Sequence, residues 1–292
     1  MVDEFLDYLR YERCRSLRTI ESYSFSLKEF EDYFQGLDSG LSWQTVDEDV
    51  VRDWMEYLMD NGMEASSVGT RFAALRSLFR YALARHLVER DPTYRVEPPK
   101  RRKRLPTFIK ESEMNRLLDD LPWGESFLEV RDKTIIMTFY ETGIRLSELT
   151  GLDDVDIDCD NHQLKVTGKG NKQRVVPYGE ELAMALRRYM VCRDREVNHV
   201  CDAVFVTSKG NRMTAEEVRF RVKTKLSLVS TQKKLSPHVL RHTFATAMLN
   251  HGASIESVRR LLGHASASTT EVYTHTTFEQ LRRVYKDAHP RA

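Results

Sequence analysis

Cysteine is scarce and scattered: the 292 residues hold four, Cys14, Cys159, Cys192 and Cys201, with no Cys-x-x-Cys pair among them. That spacing supports neither a disulfide framework nor a zinc knuckle, so the four read as reduced thiols. Long hydrophobic runs are missing too, and nothing approaches the ~18 to 20 apolar residues that cross a bilayer. The first ten residues carry Asp3, Glu4 and Asp7 where a signal peptide would be basic and then apolar. The expectation is a cytoplasmic protein with no membrane partner. Glycine and proline number only 13 and 8, and neither an internal repeat nor a low-complexity tract occurs, which excludes collagen-like and disordered classes. What remains is 41% hydrophobic and 30% charged, a composition suited to a helix-rich globular chain. Its length fits two domains of ~100 to 200 residues better than one.

Net charge is nearly absent at +1, but the balance is local. Residues 1 to 60 hold 15 acidic and 6 basic side chains, residues 61 to 110 hold 4 and 12, and the remainder 25 and 27, giving −9, +8 and +2. A basic segment set between acidic and neutral ones suits a strap that meets a polyanion, although a solvated basic helix has the same composition.

Periodicity supplies the elements. Ile20, Tyr23, Leu27, Phe30 and Phe34 recur at spacings of three and four and predict a helix over 16 to 34. A second is predicted over 47 to 59 through Val50, Trp54 and Leu58, ended by Asn61-Gly62. Ser66 or Ser67 is expected to cap a third, with Val68, Phe72, Leu75, Phe79 and Leu83 buried and Arg76 and Arg80 one turn apart on another face. Two such guanidinium groups can grip successive phosphates, or can simply be solvated. Pro98-Pro99-Lys100-Arg101-Arg102-Lys103-Arg104-Leu105-Pro106 joins stiff backbone to five consecutive cations and predicts an extended, exposed domain boundary. A polyphosphate would supply the missing counter-charge. Beyond it, helices are predicted over 112 to 118 and 130 to 140, short strands over 155 to 157, 164 to 167 and 173 to 177, and helices again from Glu180, apart from a strand-like Ala203-Val204-Phe205-Val206. The sum is a mainly α protein with a small antiparallel β-sheet.

Four segments place phosphate-seeking side chains beside glycine turns or helix starts: Thr142-Gly143-Ile144-Arg145, Gly168-Lys169-Gly170, Ser236-Pro237-His238-Val239-Leu240-Arg241-His242 and Leu261-Leu262-Gly263-His264, with Tyr273 nine residues further on. Thr-Gly interrupts the helical pattern, so Arg145 starts a new helix, and Lys169 falls near the tip of a hairpin. Ser236 as N-cap and Pro237 in the first turn put His238 and Arg241 near a helix N-terminus, the end that favours anions. Gly263 is expected to close the preceding helix. His238 and His242 have the i, i+4 spacing of a zinc helix, but Val239 stands where such a helix carries glutamate, so no metal site is expected. Singly, each segment also fits a surface pair, a plain turn or core packing. Together they form the set that metal-free phosphoryl transfer requires. Two arginines hold non-bridging oxygens, a lysine protonates the leaving oxygen, a histidine accepts a proton and a tyrosine forms the covalent intermediate.

The ordered set Arg145, Lys169, His238, Arg241, His264 and Tyr273 resembles that of the tyrosine site-specific recombinases, the phage integrase family, and is most similar to the Xer type that resolves chromosome dimers. The resemblance rests on Thr-Gly-Ile-Arg-Leu-Ser-Glu-Leu, Gly-Lys-Gly-Asn-Lys-Gln-Arg-Val-Val-Pro, Ser-Pro-His-Val-Leu-Arg-His-Thr-Phe-Ala-Thr, Leu-Leu-Gly-His-Ala-Ser and Val-Tyr-Thr-His, and covers essentially the whole chain. It implies a helical, SAM-like core-binding domain over 1 to 97, a basic linker over 98 to 106, and an α+β catalytic domain over 107 to 292, closing around the duplex as a clamp.

In that likeness Arg145 and Arg241 clamp the scissile phosphate, His264 adds a hydrogen bond, Lys169 is the general acid for the 5′-oxygen, His238 the general base and Tyr273 the nucleophile that forms a 3′-phosphotyrosyl link. Arg76, Arg80, Lys100, Arg101, Arg102, Lys103 and Arg104 become DNA-binding residues, and no metal or other cofactor is implied. The apolar face of Phe278, Leu281, Val284 and Tyr285 would dock on a neighbouring protomer, with packing on its own domain as the alternative. Implied partners are double-stranded DNA and fellow protomers in a tetramer on two sites, of one kind of subunit or two, with a DNA translocase of the FtsK type as a possible activator. The substrate implied is a dif-like dimer-resolution site. An integrase of a phage or mobile element is the runner-up, disfavoured because the first helical pattern begins almost at Met1 and leaves no room for an arm-binding domain. A DNA-binding regulator, from another class, would have no use for Tyr273.

Overall fold

The computed structural model describes residues 1–100, 107–168, 170–199, 201–263 and 275–292, the side chains of 275–277 excepted. It divides into two compact units, Met1–Arg104 and Leu105–Ala292.

The first unit is helical. Helix α1 spans Val2–Asp7 and runs into a π-helical turn, Tyr8–Glu12; α2 spans Leu17–Leu37, α3 Glu48–Asp60 and α4 Ala65–Ala84. Ser16 caps α2 by accepting from the Thr19 amide, and Asp47 caps α3 by accepting from Asp49 and Val50. The core is aromatic: Phe30 meets Trp54 edge-on at 4.9 Å, and Phe34 meets Trp43 at 5.4 Å. Helix α4 starts at Ala65 with Glu64 in the N-cap place, earlier than its serines suggested, because the chain has already reversed at Gly62 with φ of +81°. Its buried stripe continues from Phe79 to Ala82, so Leu83 is 42% exposed rather than in the core.

The second unit is built round α6 (Phe127–Thr142), buried along nearly its whole length. Helix α5 (Glu111–Asn115) precedes it and α7 (Leu146–Thr150) follows it. Strands β1 (Ile157–Asp158), β2 (Gln163–Thr167) and β3 (Gln173–Pro177) form an antiparallel sheet in that order, with Leu164 opposite Val176 and Val166 opposite Arg174. The first strand is shorter than expected. Val155 is exposed in a 3-10 turn over Asp154–Asp156, where the Asp153 amide donates to the Asp156 carboxylate. Ala203 to Val206 are buried as an apolar strand should be, yet pair only through isolated bridges of Asp153 with Ala203 and Val206 with Arg212. Helices α8 (Glu180–Glu196), α9 (Ala215–Leu226), α10 (Pro237–Asn250), α11 (Ile255–Leu262) and α12 (His275–Ala288) complete the unit, with α8, α9 and α10 packed on α6.

The terminal helix packs on its own domain, one of the two positions expected for it. Leu281, Tyr285 and Ala288 are buried against Phe244, Met248, Val258, Leu261 and Leu262 of the same chain. An apolar stripe of three side chains is satisfied by the nearest apolar groove, and α10 with α11 supplies one.

Candidate active site

Two left-handed glycine turns bring distant segments together. Helix α6 ends at Gly143 with φ of +60°, and α11 ends at Gly263 with φ of +64°. A Cβ on Gly143 would stand 2.5 Å from Phe244 Cδ1 and 2.8 Å from Leu262 Cδ2. Gly143→Ala should therefore destabilise the second unit by about 2 to 5 kcal/mol, from left-handed backbone strain and overpacking together. A melting temperature within 1 °C or so of wild type, measured by calorimetry, would contradict that close fit, since about 1 kcal/mol already moves a domain of this size by some 2 to 4 °C.

The turns hold the arginines. Arg241, buried on α10, donates from Nη1 to the Gly143 carbonyl at 2.6 Å and from Nη2 to the Leu262 carbonyl at 2.7 Å. Arg145, at the N-cap of α7, donates from Nη2 to the Gly263 carbonyl at 3.1 Å. Both guanidinium groups thus end on consecutive carbonyls, those of Leu262 and Gly263. Burial, and then the like charges of Arg145 and Arg174, lower the Arg241 pKa to about 10, which still leaves it charged at neutral pH.

Glu148 ties this pair to the sheet. Its Oε1 accepts from Arg145 Nη1 at 2.8 Å and Arg174 Nη1 at 2.6 Å; its Oε2 accepts from the Arg145 amide at 2.7 Å and Arg174 Nη2 at 3.0 Å. Burial pushes the carboxyl upward, but hydrogen bonds and charge from Arg174 and then Arg145 outweigh it and hold the pKa at about 2. Arg174 also donates from Nε to the Leu261 carbonyl at 3.2 Å. Three arginines and one carboxylate leave two net positive charges, an arrangement able to hold an anion.

Arg145 and Arg241 are therefore brought together. His238 is exposed on α10, with Nε2 3.1 Å from His242 Nε2, so one imidazole donates and the other accepts. Burial, and then His238 and Arg241, lower the His242 pKa, which favours its neutral form. Ser236 occupies the N-cap place without a side-chain cap bond, while Pro237 does take the first helical position. No group of three His, Cys, Asp or Glu suited to a metal ion occurs among the described residues. Lys169, His264 and Tyr273 lie outside the described residues, as do Arg101, Arg102, Lys103 and Arg104. Lys100 and Arg80 are exposed. Arg76 is not paired with Arg80 on an open face: it lies over the Phe72 ring at 4.5 Å and donates to the carbonyls of Thr93 at 3.2 Å and Val96 at 2.7 Å, holding the end of the first unit to α4. Its long stem lets the head group turn away from the outward direction its helical position suggested.

Glu148 and Arg174 carry no role among the sequence motifs above. The signal for Arg174 is its alternation with Val176, which places a charge on the inner face of β3 where only a buried partner can satisfy it. For Glu148 the signal is its place three residues after the N-cap, where a carboxylate can reach back to the Arg145 amide.

Comparison with known proteins gives one consistent result. The family model described as "Phage integrase family" matches residues 107–280, and "Phage integrase, N-terminal SAM-like domain" matches residues 2–86. A tyrosine recombinase XerC from Chlorobaculum tepidum is 37% identical, covering 99% of this chain and 94% of its own length. A tyrosine recombinase XerD from Yersinia pestis is 36% identical over 100% and 97%. Among solved structures, a XerH site-specific recombinase bound to palindromic difH substrate in a post-cleavage complex aligns with a TM-score of 0.72 and 22% identity, covering 97% of this chain and 83% of that one.

Proposed function

From a chain that belongs to the phage integrase family of tyrosine recombinases, we propose the following division of labour among its side chains. The enzyme is a site-specific recombinase that cleaves and rejoins DNA. Arg145 and Arg241 hold the non-bridging oxygens of the scissile phosphate, and His264 adds a third donor. The Tyr273 hydroxyl attacks phosphorus as its proton passes to His238; the bond from phosphorus to the 5′-oxygen breaks, and Lys169 protonates that oxygen. A 3′-phosphotyrosyl link and a free 5′-hydroxyl result, and attack by the 5′-hydroxyl of a second strand reverses the step. The observation that carries this reading is the meeting of Arg145 and Arg241 on the carbonyls of Gly263 and Leu262, the two residues before His264.

The substrate assigned is a dif-like chromosome-dimer-resolution site, in preference to a mobile element's attachment site, because relatives named XerC and XerD match at 34 to 37% identity over nearly their full length. Residues 1–97 would grip the duplex with Arg80 outward and Arg76 as an internal tie, the linker over 98–106 would meet phosphates, and residues 107–292 would carry the chemistry. The partners are duplex DNA and further protomers in a tetramer on two sites, with a DNA translocase of the FtsK type as activator. The enzyme is assigned to the cytoplasm, where a chromosomal substrate lies; no helix among the described residues is long and apolar enough to cross a membrane.

A nicked duplex that loses its short 5′-hydroxyl strand on cleavage traps the intermediate. Wild type should give a denaturant-resistant adduct, unchanged by excess chelator, with the phosphodiester mapped to the peptide holding Tyr273; a different peptide or loss on chelation would refute the scheme. On the same duplex Lys169→Ala should slow cleavage by about 10² to 10⁴-fold. Sulfur in place of the bridging 5′-oxygen should restore most of that rate, since thiolate leaves without an acid; no restoration would remove Lys169 from the acid role.

A further inference from the structure

Arg145 and Arg174 share Glu148 unequally. Arg174 takes both carboxylate oxygens through its two terminal nitrogens, a forked geometry, whereas the Arg145 side chain reaches only Oε1. Exposure divides the same way: the side chain of Arg174 is 6% exposed and that of Glu148 0%, while that of Arg145 is 38% exposed. The carboxylate is thus neutralised from the buried side, and Arg145 keeps its outward face. Arg174 also reaches the Leu261 carbonyl, adjacent to the two carbonyls that receive Arg241 and Arg145.

We propose that Arg174 is a positioning residue for strand cleavage, cancelling the charge of Glu148 so that the charge of Arg145 remains available to the scissile phosphate. This rests on the assignment of Arg145 above. Glu148 fixes the direction of Arg145 through the backbone amide and Nη1, but an ionised carboxylate left with Arg145 alone would form a neutral pair with it. The cradle would then fall from two net positive charges to one, leaving Arg241 as its source of positive charge. Arg174 allows an orienting carboxylate to be kept without that loss, and because β3 carries it, the base of the β2–β3 hairpin is fixed to the same carboxylate.

Single-turnover cleavage of the nicked duplex by the full chain, with duplex affinity measured in parallel, tests this through four proteins: wild type, Arg174→Met, Glu148→Gln and the double variant. In the wild-type background Arg174→Met should cut cleavage by about 100-fold, the scale of losing one preorganised charge at a phosphate, with duplex affinity within threefold. In the Glu148→Gln background, where nothing needs cancelling, the same substitution should cost less than about threefold. Arg174→Lys, which keeps the charge and loses the fork, should fall between wild type and Arg174→Met. Equal losses in both backgrounds would mean that Arg174 only packs the sheet, and wild-type cleavage by Arg174→Met would equally overturn the proposal. Should Arg174→Met not fold, Glu148→Gln against the double variant and Arg174→Lys against wild type still decide it. A wild-type protein that forms no adduct refutes the recombinase chemistry itself, a separate outcome.

Discussion

Tyr273→Phe should abolish the covalent adduct and reduce cleavage by about 10⁵ to 10⁶-fold, the scale on which removal of an enzymatic nucleophile registers, while duplex binding persists. The nearest later phenol in sequence cannot take over. Tyr285 is 1% exposed within α12, stacked on His289 at 5.0 Å and 3.5 Å from a Glu141 carboxylate oxygen. Burial, and then Glu141, raise its pKa well above the ordinary value, so neither access nor acidity suits attack on phosphorus. Adduct formation by the variant at even a hundredth of the wild-type yield would place the nucleophile elsewhere.

Arg241→Met should fail twice. Cleavage should drop by about 10² to 10³-fold, as expected for loss of one preorganised donor to the growing charge. The carbonyls of Gly143 and Leu262 also lose their donor, at about 1 to 3 kcal/mol each where water cannot reach them. The melting temperature should fall with the activity, by about 5 °C or more for a unit of this size. Arg241→Lys keeps the charge but places one nitrogen where two are needed, so it should recover part of the stability and little of the rate. If Arg241→Met melts like wild type, the two carbonyl ties are not formed in solution; if it cleaves within tenfold, the clamp assignment is wrong.

Much of this arrangement was legible in the sequence, because the elements that place Arg145 and Arg241 are announced by local chemistry. Thr142-Gly143 ends α6 with the one residue type that enters left-handed backbone without strain, and Gly263 ends α11 in the same way. The α2 and α3 stripes likewise followed from spacing alone. What escaped has a common cause: a side chain's partner can lie far along the chain. Arg174 and Glu148 are 26 residues apart, and Arg76 reaches carbonyls 17 and 20 residues on, so neither bond has a local pattern. For the terminal helix the apolar face left two coverings open, and the α10 and α11 surface supplies one of them.

The anchors of the arginine cradle, namely Gly143, Glu148, Leu261, Leu262 and Gly263, all fall within the second unit. None is borrowed from the helices before the basic linker. A chimaera carrying foreign helices in place of those before residue 98 would keep every one of these fastenings of Arg145, Arg174 and Arg241.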